Sequence, residues 1–339
     1  MRILWLRPSK GDNISVRRER IAEKLENAGF EVVIRDASGF DLPSALWTAI
    51  RGDFDVIAGN VRIGLYAGYP VARLLRTPFL GDVSDPISDI DYLREPLFSF
   101  FEWYEWQVLR RADACVFVYE SSYQEALSRG ISDAVKLPNA VDYDVFANPD
   151  EEAVKTAGDI LTDCGVDFEK PLAIYLGVFS PRYCIEEILA AAEQTPDWEF
   201  LFLGEGTLTA AVETADARLD NFHYPGAFPY ELMPGFLSYA DAGFCFKDAE
   251  QPLKLKEYGA AGVPAIVRPG ELERWYDEDE LVFTDPTPQA ISQTLTDLAA
   301  DETRRRQFGE RLQAHARDYS WEDIASEYQQ LFERLATRR

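Results

Sequence analysis

Short apolar runs alternate with amphipathic stretches along most of this chain, and Gly, Pro or Asn closes many of them. Residues 2–6 predict a strand, 16–28 an amphipathic helix stopped at Gly29, and 31–35 a second strand. A helix over 42–52, a strand over 55–59, a helix over 65–75 and a strand over 78–81 continue the rhythm. An aromatic-rich helix over 93–111, a strand over 114–118, a helix over 121–129 closed by Gly130 and a short strand over 135–137 complete the first half. Strands that alternate with helices pair in parallel, so this half predicts a doubly wound α/β sheet.

The segment Pro138-Asn139-Ala140-Val141-Asp142-Tyr143-Asp144-Val145-Phe146 breaks the rhythm, with Asn and Asp placed to stabilise turns. A linker follows around 148–150, and the pattern restarts at Leu172. Strands are expected over 172–176, 199–203, 222–224, 242–246, 265–267 and 280–283. Helices are expected over 185–194, 207–217, 229–240, 288–300, 302–317 and 321–335. A length of 339 residues suits two such domains, and a hydrophobic share of 47% suits full cores.

Charge changes the picture more than composition does. Acidic residues outnumber basic ones 59 to 34, giving a net charge of −25. Such a chain does not bind nucleic acid through a broad basic surface. The acids are spread along the whole chain, which favours adaptation to high salt over a single acidic patch for a basic partner. No apolar run approaches a membrane span, and the first residues lead straight into a strand with Arg7, Lys10 and Asp12 behind it, so a cytoplasmic location is expected. Cys115, Cys164, Cys184 and Cys245 are widely separated and read as free thiols, not disulfides or metal ligands. His223 and His315 are the only histidines, and both read as structural.

Candidate chemistry gathers at the ends of expected strands, where open α/β sheets bind ligands. Gln251 to Val267 reads as a polar loop, a short helix stopped at Gly262 and a strand. Glu257 is expected in the first turns of that helix, with Lys254 and Lys256 just before it, a set that suits phosphate together with sugar hydroxyls. Asp82 and Asp85 end the fourth strand and can meet sugar hydroxyls or positive charge at an anomeric carbon, although Asp85-Pro86 is also common turn chemistry. Arg182, in the loop opened by Gly177, can hold two phosphate oxygens or simply be solvated. The first loop, with Lys10 and Gly11, is neither a dinucleotide fingerprint nor a P-loop. Asp89-Ile90-Asp91 has metal-binding spacing but reads as a solvated helix start. The aromatic run from Phe98 to Trp106 reads either as core alone or as core on one face with the other open to a lipid-linked acceptor or the membrane interface.

The segment Pro252-Leu253-Lys254, Glu257-Tyr258, Gly262 and Pro264 resembles that of retaining GT-B glycosyltransferases of the family 4, group 1 type. Pro138-Asn139-Ala140-Val141-Asp142 to Phe146 is similar to the connector between their two domains, with Ala140 where Gly is usual, and Tyr319-Ser320-Trp321-Glu322 resembles the start of their last helix. The resemblance implies two Rossmann-like domains facing a cleft: residues 1–147 on the acceptor side, 148–320 on the donor side, and a helix over 321–339 crossing back. It implies metal-independent, cofactor-free transfer of a sugar from a nucleotide-diphosphate sugar to a lipid-linked or glycan acceptor, with peripheral contact at the cytoplasmic membrane face and, with the charge, a halophilic archaeal source. Carried over residue by residue, Glu257, Lys254, Leu253, Arg182 and Gly177 become donor-binding. Asp85 and Asp82 become catalytic, and Lys10 and Gly11 shape the acceptor and diphosphate loop. The first of the family's paired glutamates is shifted or missing, since Ala249 stands eight before Glu257, and no Lys follows Arg182. A nucleotide-sugar-binding homologue without catalysis is the alternative; an NAD-dependent epimerase or dehydrogenase is disfavoured by the missing Gly fingerprint.

Overall fold

The structure, a computed structural model, describes residues 1–8, 16–85 and 94–337. The first elements are β1 (Arg2–Arg7), α1 (Val16–Asn27), β2 (Glu31–Asp36), α2 (Leu42–Arg51), β3 (Val56–Asn60), α3 (Val61–Leu75), β4 (Phe79–Val83), α4 (Leu97–Leu109), β5 (Ala114–Phe117), α5 (Glu120–Ser128) and β6 (Ala134–Lys136). Next come α6 (Tyr143–Ala147), α7 (Glu151–Asp163), β7 (Leu172–Leu176), α8 (Ile185–Ala192), β8 (Glu199–Leu203), α9 (Thr209–Asp216), β9 (Phe222–Gly226), α10 (Met233–Leu237) and β10 (Ala242–Cys245). The last are α11 (Leu253–Ala260), β11 (Ala265–Val267), β12 (Val282–Phe283), α12 (Pro288–Ala300), α13 (Glu302–Ala316) and α14 (Trp321–Ala336).

Among the described residues the strands form two six-stranded sheets, ordered β2-β1-β3-β4-β5-β6 and β12-β11-β10-β7-β8-β9. Neighbouring strands pair in parallel in both. The chain divides into two compact units, Met1–Asn139 with Trp321–Arg339, and Ala140–Ser320. Val141 and Phe146 of the connector are buried in the core of the second unit.

In the first unit, Ile3 to Leu6 of β1 are fully buried because helices cover both faces of a parallel strand. α14 lies against α1 and seals one side: Trp321, Tyr328, Phe332 and Leu335 are all 0% exposed. In the second unit the two-residue period of β7 divides its side chains between two cores. Leu172, Ile174 and Leu176 enter one, and Ala173 and Tyr175 the other.

Two local outcomes differ from expectation. α7 occupies residues the hydropathy pattern leaves unassigned; its capping signal is Asp150, whose carboxylate accepts from the Glu152 and Ala153 amides, with Ala157 and Leu161 buried below. α11 begins at Leu253, so Lys254 and Lys256 lie inside the helix instead of before it. Gly262 is its stop as expected, with φ +72. Cys115, Cys184 and Cys245 are buried free thiols, and Cys164 is a half-buried one. No helix among the described residues is long and apolar enough to cross a membrane.

Candidate active site

The second unit presents a built surface at the carboxyl ends of β7, β8, β10 and β11. Gly177 follows β7 with φ +119, and Gly204 follows β8 with φ +142. A Cβ at Gly204 would lie 2.0 Å from the Gly177 oxygen, so only glycine lets the two loops close on each other. The Gly177 amide donates to Leu203 O and the Phe179 amide to Glu205 O, which fixes the loop after β7.

α11 delivers the reactive side chains to this edge. Its Tyr258 ring lies against Gly243 of β10, where a Cβ would come within 2.7 Å of the ring. The Leu176 amide donates to the Tyr258 hydroxyl, which donates in turn to Phe244 O. On the other side Gly259 admits α13, because a Cβ there would meet Ala316 and Leu312 O at 2.9 Å. The apolar and glycine positions of the helix thus set the direction of its polar ones.

Lys254 points along the sheet edge. Its Nζ stands 3.8 Å from the centre of the Tyr175 ring and 4.7 Å from that of Tyr183. It also faces the Gly177 backbone, where an added Cβ would lie 3.5 Å away. This ammonium is enclosed and has no hydrogen-bond acceptor. Aromatic faces stabilise the charge but leave its N–H groups unused. Burial pushes Lys254 down to about 8, against the Cys245 thiol and the Glu257 carboxylate. Glu257, one turn further on, is 5% exposed. Burial pushes it up to about 7, opposed by hydrogen bonding from Tyr230 and the charge of Lys254.

Lys256 belongs elsewhere. Two positions along a helix reverse the direction of a side chain, and its Nζ donates to the Tyr276 hydroxyl at 2.9 Å and lies 3.3 Å from the centre of the Tyr319 ring. Burial pushes it down to about 7, against Glu280. Leu253 opens α11 and is half-buried; Arg182 sits exposed in a short turn, Pro181–Tyr183, after β7. Ala249 leaves no carboxylate at its position, whereas the next residue, Glu250, is 6% exposed. Two cations escaped the motif reading: Lys247 follows β10 and Arg268 follows β11. Their signal was a basic residue directly beyond an apolar strand.

In the first unit Asp82 ends β4 at 0% exposure. Its carboxylate accepts from the Tyr328 hydroxyl at 3.1 Å and from Asn60 Nδ2 at 3.3 Å. Burial raises its pKa, against the charges of Arg17 and Arg18. Arg18 is itself 1% exposed, and Arg17 donates to Leu137 O and Pro138 O. These contacts tie Asp82 to α14 through Tyr328. Asp85 lies half-buried beyond the strand, accepting from Ser84 Oγ at 3.4 Å. Beside them the β3–α3 junction is strained: Val61, a β-branched residue, has φ +26. Lys10, Gly11, Asp89 and Asp91 lie outside the described residues. Among the described residues no three His, Cys, Asp or Glu form a metal-binding group. Both histidines are packed: His223 contacts Glu199 and the Cys164 carbonyl, and His315 contacts Glu280.

Parallel sheets with glycine-closed strand ends and an inward-facing Lys–Glu helix invite comparison with known proteins. Residues 182–330 match the model of the family described as "Glycosyl transferase-like". The Anabaena protein HepE, solved in complex with UDP and glucose, superposes with a TM-score of 0.78 over 98% of this chain and 99% of that one, at 15% identity. The chain has the GT-B fold. Sucrose-phosphate synthase from Thermosynechococcus elongatus shares this GT-B architecture with a TM-score of 0.79 over the whole of both chains, at 17% identity. In sequence, the chain is 26% identical over 176 residues to the Bacillus subtilis (strain 168) protein named for teichuronic acid biosynthesis as the glycosyltransferase TuaH. That match takes in 48% of this chain and 42% of TuaH, so it spans less than half of the relative's length. The matched family region includes Arg182, Lys254 and Glu257.

Proposed function

We propose that this chain is a glycosyltransferase that moves a sugar from a nucleotide-diphosphate sugar to an acceptor hydroxyl, with retention and without a metal. The observation that carries the proposal is the enclosed Lys254 ammonium, which lacks an acceptor and stands one helical turn from the buried Glu257 carboxyl. A ligand's diphosphate supplies the missing acceptors, and ribose hydroxyls supply donors to Glu257. The family match over 182–330 and the UDP held by HepE support a nucleotide donor. In this reading Lys254 and Arg182 offset the charge that develops on the departing diphosphate, where preorganised cations act most strongly. Gly177 and Leu253 shape its backbone surroundings, and Asp85, with Lys10 and Gly11, serves the acceptor side.

The likeness to TuaH supports an acceptor in glycan or surface-polymer assembly. Contact with the cytoplasmic face of a membrane completes the reading. Leu97, Phe100 and Trp103 of α4 are 55%, 55% and 57% exposed. α3 lies beside α4 and carries exposed Arg73 and Leu74, with exposed Arg76 directly after it. Aromatic and basic side chains together suit an anionic lipid interface.

Incubation with labelled UDP- and GDP-sugars, following release of free nucleotide with and without EDTA, tests the proposal. Release from one donor that persists in EDTA and is lost in Lys254→Ala is the expected result. Tight nucleotide binding without release from any donor would favour an inactive binding homologue, to which Ala249 points. Absence of any nucleotide binding would overturn the assignment.

A further inference from the structure

The carboxyl edge of the second sheet holds more cationic charge than its surroundings explain. Lys247 follows β10, Arg268 follows β11, and Lys254 lies in the first turn of α11. Among the described residues none of these three side chains makes a salt bridge, in a chain where acids outnumber bases 59 to 34. The Nε of Arg268 is enclosed without a hydrogen-bond partner, as is the Nζ of Lys254. An enclosed guanidinium nitrogen left without an acceptor costs free energy that the free protein does not recover.

The three cations lie along one sheet edge, Lys247 and Arg268 just beyond the paired ends of β10 and β11. The charge of Lys247 acts on Lys254, and both act on the Cys245 thiol. The charge of Arg268 acts on Cys184, the residue next to Tyr183, whose ring lies 4.7 Å from Lys254 Nζ. The loops bearing Lys247 and Arg268 are tied together, since Asp248 Oδ1 accepts from the Glu271 amide at 3.0 Å. Gly270 keeps this crossing open with φ +145; a Cβ there would lie 2.5 Å from the Asp248 carboxylate. The nearest acid on α11, Glu257, is itself held toward its neutral form by burial.

We propose that Arg268 and Lys247 are ligand-binding cations that extend the Lys254 site, taking anionic oxygens of the donor. This rests on the nucleotide-sugar reading of the same site. The anionic oxygens come either from the diphosphate or from a carboxylate on the sugar. Arg268 offers a planar fork suited to either group, and two further cations beside Lys254 and Arg182 favour ligands with more negative charge.

Calorimetric titration at fixed ionic strength decides it, with UDP, UDP-glucose, UDP-glucuronate and inorganic pyrophosphate as probes. The proteins are the wild type, Arg268→Gln, Lys247→Gln and Lys155→Gln, the last removing an exposed cation of α7. Arg268→Gln should weaken binding roughly tenfold or more, with Lys155→Gln unchanged. Equal weakening for all nucleotide ligands assigns Arg268 to the diphosphate; weakening confined to UDP-glucuronate assigns it to a sugar carboxylate. The unfolding midpoint of free Arg268→Gln should be equal to or above that of the wild type, because an uncompensated charge is removed. A lowered midpoint with unchanged affinities would make Arg268 structural and overturn the inference. If the wild type binds no nucleotide, the functional reading fails while pyrophosphate still reports on the cation site. Failure to bind pyrophosphate as well overturns both.

Discussion

Replacing Glu257 by Gln separates a ligand-binding carboxylate from one that is merely buried. Burial raises this carboxyl from 4.5 to about 7. Between those values the folded chain holds a proton that the unfolded chain releases, so stability falls as pH rises across the interval. Each pH unit is worth about 1.4 kcal/mol, and the interval therefore roughly 3 kcal/mol. Glutamine keeps the shape and escapes this cost. Loss of the attraction to Lys254 subtracts from the gain, leaving about 1–3 kcal/mol in favour of the variant at pH 8 and little difference at pH 4. Donor affinity should move the other way. Losing a charge-assisted bond to the ribose costs about 1.5–3 kcal/mol, roughly ten- to a hundredfold in Kd. Urea unfolding midpoints at both pH values, with titration of UDP at pH 8, measure the two effects. A stabilised variant with unchanged Kd would remove Glu257 from the binding site. A variant destabilised at pH 8 would refute the electrostatic account of its burial.

Lys256→Met should raise the unfolding midpoint at pH 6 and leave UDP affinity intact. The wild-type ammonium, lowered from 10.5 to about 7 by burial, makes stability rise with pH between those values, and a variant with the same pH slope as the wild type would refute this. Asp82→Ala should cost about 3–5 kcal/mol, because it removes a buried carboxylate whose charge opposes that of Arg18, at 1% exposure, and takes the acceptor from the Tyr328 hydroxyl. Loss of turnover with an unchanged midpoint would instead give Asp82 a chemical role. Raising salt from about 0.01 M to about 1 M, which shortens the Debye length from about 30 Å to about 3 Å, should raise the melting temperature of this chain of charge −25. A flat salt response would favour a basic partner over high-salt adaptation.

The sequence by itself determined the alternation of strands and helices, and hence two parallel sheets, because two-residue and helical hydrophobic periods are local properties of the chain. It also marked the Lys254 to Glu257 segment, since a polar loop, a glycine stop and an apolar strand lie within a few residues of one another. The helix over 151–163 was legible too, in the Asp150 cap and in Val154, Ala157 and Leu161 at helical spacing, but charged residues and Gly158 dilute its apolar content. Tertiary structure alone decided which charges share a site. It turned Lys256 toward Tyr276 and Tyr319 and left Lys254 over Tyr175. It enclosed Asp82 under Tyr328, a residue 246 positions away. It placed Lys247 and Arg268 just beyond the ends of two adjacent strands of one sheet edge. The physical reason is range: hydrophobic period acts between neighbours in sequence, whereas desolvation and ion pairing depend on which distant segments cover a side chain.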